Sequence, residues 1–203
     1  MKKNIKINIQ QLNYYNKFIN TESLNFKQVG WGSAASQEKR FKILLKYLNT
    51  KNYYSLLDVG SGNSDLLSFF KKKKIRKINY TGIDLNEYFI NKSKKKHKKI
   101  NLICGDYFKT KFKKKFDIIF VSGLLNLNNS QGLQRIKKII KKSFDECRKM
   151  VVINILSSYA RNKSKKFFYA KPSFIIKILK KDFKKFIIDH SYFEHDFTLV
   201  LFK

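Results

Sequence analysis

A chain of 203 residues, 43% hydrophobic and 15% aromatic, is long enough for one domain with a proper core and too apolar to stay disordered. No run of about 18 uncharged apolar residues offers a membrane-spanning helix, and the start MKKNIKINIQQLNYY lacks the apolar stretch of a signal peptide, so the expected location is cytoplasmic. The two cysteines, Cys104 and Cys147, exclude a disulfide framework or a metal site, while a formal charge of +31 raises the question of a polyanionic partner.

Two helices are predicted first, over 8–20 and 35–49. In the second, Phe41, Leu44, Leu45 and Leu48 repeat at helical spacing and make one apolar face. The connector between them, NFKQVGWGSA at 25–34, is glycine-flanked around the only tryptophan, Trp31, and is suited to act as a lid. From residue 54 onward, short apolar or β-branched runs alternate with longer Lys-rich segments of helical period, the pattern of a parallel sheet with crossover helices. Strands are predicted at 54–59, 78–83, 100–104, 116–121 and 150–155, and helices at 64–73, 87–98, 130–147 and 173–183. Pro172 suits the first turn of the last helix. KKFIIDHSY and DFTLVLF then leave no room for a helix between them and predict an antiparallel hairpin, strands six and seven. The chain reads as a single domain over 1–203, with 1–50 as an N-terminal helical extension and 51–203 as the core.

The chemistry is carried by Leu56-Leu57-Asp58-Val59-Gly60-Ser61-Gly62, an apolar strand running into a two-glycine turn before a helix. Gly60 and Gly62 permit close backbone approach to a ligand. A lone G-x-G is weak evidence, but acids end three successive strands: Asp58, Asp84 in YTGIDL and Asp106 in LICGDYF. Ligands of open parallel sheets bind at these carboxyl ends. Asp84 is placed to accept from both ribose hydroxyls, Asp106 to meet an adenine amino group or to cap the N-terminus of a helix, and Tyr107 to pack on the ring. Asp58 is placed near a cationic ammonium. The third glycine of a dinucleotide fingerprint would fall at Asp65, an anion beside a would-be pyrophosphate. S-adenosylmethionine has no phosphate and carries cationic sulfonium and ammonium groups, which an acid-rich site favours. Tyr88 and Lys92 match a dehydrogenase Y-x-x-x-K pair, but on a helix far too early in the chain.

DVGSGNSDL, YTGIDL, CGDYF and FDIIFVSGLLNL resemble the successive cofactor motifs of class I S-adenosylmethionine-dependent methyltransferases, and the terminal hairpin resembles that fold's reversed seventh strand. YY…VGWGSAASQEKRF and YFEHDFTLVLFK are similar to a small bacterial subgroup of that family. The resemblance implies an α/β, Rossmann-like, seven-stranded and mostly parallel sheet with the last strand reversed, helices on both faces and an N-terminal helical lid. Ser64 departs from the pattern, standing where many members have a third glycine. Ser61, Leu85 and Ser122 complete the expected cofactor set, together with Trp31, which is core or lid, and Arg40, which forms a surface ion pair or reaches the cofactor carboxylate.

In-line methyl transfer asks mainly for positioning and exclusion of water, so no catalytic base is assigned. Tyr15, Asn126, Tyr159 and His195 are the weak candidates, with packing as the competitor for the tyrosines and a hairpin role for His195. After the fourth strand the chain reads SGLLN, without the N/D-P-P-Y/F sequence that grips an exocyclic amine, and no Pro-Cys pair offers a thiol for pyrimidine chemistry. These absences favour O- or N-methylation of a small, glycan-linked or lipid-linked acceptor. An RNA methyltransferase using the basic surface is the alternative, and a non-catalytic cofactor-binding module the third reading. Only five of the 45 basic residues are arginine, and residues sharing AT-rich codons with lysine are abundant, so composition accounts for the charge before function does. The clusters Lys71–Lys74, Lys94–Lys99 and Lys111–Lys115 are expected at the amino edge of the sheet, giving nonspecific polyanion binding. Arg161 to Lys166, after strand five, is the exception at the catalytic edge.

Overall fold

The apolar runs become strands and the Lys-rich segments helices, largely where their periodicity puts them. The computed structural model describes residues 2–21, 25–128 and 131–203. Its helices are α1 (Lys2–Thr21), α2 (Asn25–Gln28), α3 (Ala34–Lys46), α4 (Asp65–Lys72), α5 (Glu87–Lys96), α6 (Gly132–Glu146) and α7 (Pro172–Asp182). Its strands are β1 (Tyr54–Val59), β2 (Ile78–Asp84), β3 (Asn101–Cys104), β4 (Phe116–Val121), β5 (Cys147–Leu156), β6 (Phe186–Phe193) and β7 (Asp196–Phe202). They form a seven-stranded sheet in the order β3-β2-β1-β4-β5-β7-β6. Pairing is parallel from β1 to β2, β2 to β3 and β4 to β5, whereas β7 runs antiparallel to both β5 and β6. None of the described helices is long and apolar enough to cross a membrane.

The chain falls into two compact units, residues 1–110 and 111–203. In the first, Leu56 and Leu57 of β1 have no exposed surface, nor has Leu44 of α3, and Phe70 and Ile83 are almost as deeply buried. Full burial of each such side chain contributes about 1.5–3 kcal/mol, so this strand anchors the turn that follows it. Ser33 caps α3 by accepting from the Ser36 N–H at 3.0 Å. Asn86 likewise caps α5 by accepting from Tyr88 N at 3.0 Å.

In the second unit Val151, Val152 and Ile153 of β5 pair with Leu201, Val200 and Leu199 of β7, all fully buried. Helix α6 turns Ile136, Ile139, Ile140 and Ser143 inward, one face at helical spacing. Pro172 begins α7, as its missing N–H permits.

Three boundaries depart from the sequence expectation by three residues or more. Strand β5 begins at Cys147, not 150, because α6 passes into it with no intervening turn; no glycine or proline marks the junction. Helix α3 stops at Lys46 and α1 reaches back to Lys2. The short α2 falls within the 25–34 connector, where no helix is predicted. The predicted start of α6 at 130 lies outside the described residues.

Candidate functional site

Strand register sets the acids. Asp58 pairs with Gly82 and Val59 with Ile83, which brings the end of β1 level with Asp84; Asp84 in turn pairs with Cys104, two residues before Asp106. A Cβ at Gly82 would lie 2.8 Å from Leu102 Cδ2 and 2.9 Å from Ser61 Oγ, so both side chains would have to shift to admit one.

Gly60 and Gly62 adopt φ of +76° and +49°, the left-handed region that L side chains avoid. Both Gly60 N and Ser61 N donate to Ile83 O, at 2.9 and 3.1 Å. Ser64 follows at φ +54° and precedes α4 without a side-chain capping bond. A serine therefore carries the strain that glycine would avoid, which explains physically why glycine is the commoner choice in the resembling motif.

Asp84 is held on both oxygens, Oδ2 accepting from Gly62 N at 2.8 Å and Oδ1 from Asn86 N at 2.8 Å. Burial pushes its carboxyl above the ordinary value, and the N–H groups of Asn86, Gly62 and Leu85 oppose that rise. Asp106 accepts from Phe108 N on Oδ1, a turn cap, and from Asn8 Nδ2 on Oδ2, both at 2.9 Å. No helix follows Asp106, so the helix N-cap weighed from sequence is replaced by a turn cap, with the second oxygen turned to α1. Tyr107 is buried beside it. Asp58 is 5% exposed and accepts from the Tyr80 hydroxyl at 2.7 Å. Burial moves its carboxyl up to about 7; the Tyr80 bond lowers it, and the charges of Asp84 and Asp65 raise it further.

The N-terminal segment touches the same strand ends. Asn8 reaches Asp106, Asn16 accepts from Asn86 Nδ2 at 2.9 Å, and Lys92 donates to Gln28. Val29 lies so close that a Cβ on Gly62 would stand 2.8 Å from its Cγ1. Trp31 is half-buried, with the Arg40 guanidinium 4.5 Å from its ring centroid. Arg40 is only 3% exposed and donates to Ser36 O and Oγ, so it is not the surface residue that the sequence favoured. Tyr15 packs edge-on to Tyr14 and Phe89. Leu85 is half-buried next to Asp84. Lys92 also lies 5.9 Å from the Tyr88 ring centroid, so the Y-x-x-x-K match is a packing pair.

Sequence reading missed Tyr80, Asn86, Asn16 and Asn8. Only Asn86, two residues beyond Asp84 and just ahead of a helical pattern, carried a local signal, that of a cap.

In the second unit, the Ser122 hydroxyl after β4 is buried and has no hydrogen-bond partner among the described residues. The loops after β4 and β5 are stitched together: Phe168 N donates to Asn126 O and Asn128 N to Lys166 O, both at 2.8 Å. Tyr159 is 60% exposed, and Arg161 to Lys166 are all exposed, with Arg161 paired to Glu194 at 3.0 Å. His195 stacks on Phe193 at 4.7 Å while its carbonyl accepts from Ser157 N.

Residues 56–143 match a family described as a methyltransferase domain. Magnesium protoporphyrin IX methyltransferase from Synechocystis PCC 6803, solved with bound SAM, superposes with a TM-score of 0.68 at 13% identity, covering 97% of this chain and 96% of that one. The N-methyltransferase NodS from Bradyrhizobium japonicum WM9, in complex with S-adenosylhomocysteine, gives 0.67 at 14% identity over 95% and 97%. Phosphoethanolamine N-methyltransferase 1 of Haemonchus contortus gives 0.69 at 12% identity over 97% of this chain and 49% of that one. A search of curated sequences finds no significant match. Residues 56–143 are thus similar to a methyltransferase domain, and the chain has the fold of S-adenosylmethionine-dependent methyltransferases.

Proposed function

We propose that the chain transfers the methyl group of S-adenosylmethionine to an oxygen or nitrogen of a small, glycan-linked or lipid-linked acceptor. Asp84 carries the cofactor half of this reading. Its two oxygens are aligned by the amides of Gly62 and Asn86, and each keeps a lone pair for a ribose hydroxyl. Asp106, Tyr107 and Leu85 stand for the adenine side, and Asp58, Gly60, Ser61 and Gly62 for the methionine side. Ser122, with its unpartnered buried hydroxyl, completes the set. Residues 1–50, including Trp31 and Arg40, serve as a lid on a single 51–203 core. Tyr15, Asn126, Tyr159 and His195 are the polar groups available to orient an acceptor, since displacement at a sulfonium methyl needs alignment more than a base. We place this reaction in the cytoplasm.

The acceptor class rests on SGLLN after β4, which lacks the amine-gripping sequence, and on similar solved methyltransferases named for a porphyrin and for phosphoethanolamine. The exposed run Arg161 to Lys166 favours the second reading, an RNA acceptor. Calorimetry should give binding of S-adenosylmethionine and S-adenosylhomocysteine and none of NAD; NAD binding alone sinks the cofactor. Radioactive S-adenosylmethionine added to fractionated extracts should label the small-molecule or lipid fraction. One specifically labelled transcript overturns the acceptor class, whereas RNA binding that only falls steeply with salt reflects the general charge.

A further inference from the structure

Within the second unit, α6 and α7 enclose an open groove of about 740 Å³. Lys137 and Lys141 stand one turn apart on α6, and Lys177 and Lys181 one turn apart on α7; all four line the groove and are exposed. Among the described residues none of the four has an ion-pair partner. Asp145 and Asp182 also line the groove and leave two positive charges in excess. Its floor is apolar, with Phe144 and Phe183 meeting edge to face at 4.8 Å and 88°. Phe174, 40% exposed, adds an unburied ring to the lining.

We propose that this groove docks the chain on a bilayer surface that bears anionic lipids, the lysines meeting headgroups while Phe174 enters the acyl boundary. The inference is independent of the acceptor assigned above. Long lysine stems can lie along apolar surface with their ammonium groups in the headgroup layer. Such a trough suits an amphiphile better than the alternatives. A nucleic-acid backbone has no use for the apolar floor, and the edge-to-face pair leaves no parallel rings between which bases could stack. A second copy of the groove would set four lysines against four.

The test is flotation with phosphatidylcholine vesicles, with and without about one-quarter phosphatidylglycerol, each basic residue near such a surface being worth about fivefold in binding. The full chain should bind only the anionic vesicles. Changing Lys137, Lys141, Lys177 and Lys181 together to glutamine should weaken that binding about a hundredfold or more. Changing the equally exposed Lys73, Lys74, Lys94 and Lys95 to glutamine should weaken it by less than about tenfold, because those positions lie outside the groove. F174S should abolish the part of the binding that survives high salt. S-adenosylhomocysteine binding and thermal melting, read on every variant, confirm folding. Equal binding to neutral vesicles, equal losses in the two lysine variants, or unchanged salt-resistant binding in F174S would each overturn the proposal. So would a dimer, seen by light scattering, that F174S dissolves, or RNA binding that alone responds to the groove variant.

Discussion

Replacing Asp84 with alanine removes the proposed acceptor for two ribose hydroxyls and, at the same stroke, the partner of Gly62 N and Asn86 N. Each charge-assisted bond is worth roughly 1.5–3 kcal/mol. The two ribose bonds do not count in full, because water re-enters a half-buried position and satisfies the hydroxyls. A loss of about 2–3 kcal/mol remains, a roughly 30- to 150-fold rise in the dissociation constant. Asparagine keeps the shape and one acceptor oxygen but turns an amide NH2 toward one of the two backbone donors, so its loss should be intermediate, about tenfold. Titration calorimetry with S-adenosylhomocysteine reads both variants, at a temperature where circular dichroism shows each to be folded. If the folded alanine variant binds within about threefold of the parent, Asp84 does not hold the ribose and the assignment of the strand ends fails.

Gly62→Ala should weaken S-adenosylhomocysteine and lower the melting temperature together, since φ is +49° and the new Cβ would meet Val29 Cγ1 at 2.8 Å; an unaltered variant would refute the tight approach of the connector. Asp58 holds its proton to about pH 7 when folded, against 3.8 ordinarily, so between those values the folded state binds more protons than the unfolded one. Stability should therefore fall as pH rises through this window, by on the order of 4 kcal/mol at most. Urea unfolding of Asp58→Asn should lose that slope, and an identical slope would show that another group produces it. Trp31 fluorescence should shift on addition of S-adenosylhomocysteine if the connector closes on the ligand, and a spectrum unchanged at saturation would leave the ring as packing against Arg40.

The strand ends were legible because their signals are local. YSLLDV is a short apolar run stopped by a glycine turn, and it folds as β1 at the predicted bounds; the acids of YTGIDL and LICGDYF need no partner to be noticed. What holds those acids in place was illegible. Tyr80 reaches Asp58 because Tyr80 is paired with Leu56, a matter of register between strands. Asn8 and Asp106 meet across 98 positions, and no spacing announces that. Helix α2 has four residues, too few for any periodicity. Arg40 misled because an arginine on a Lys-rich helix is ordinarily solvated, whereas here its guanidinium is covered by the Trp31 ring.

The Gly60–Gly62 turn has the dihedral angles of a loop, yet its fastenings are those of a core. Gly60 N and Ser61 N are tied to Ile83 O of β2, Gly62 N to Asp84, and Gly62 O to the Ser93 hydroxyl of α5 at 3.1 Å. None of these bonds can break alone without leaving a buried group unpaired. The turn consequently opens only when β2 and α5 come away from it, and its amide protons exchange with solvent on the timescale of those elements. An exposed surface loop trades rigidity for easy motion; this one is held in a single backbone arrangement by the strand and helix beside it.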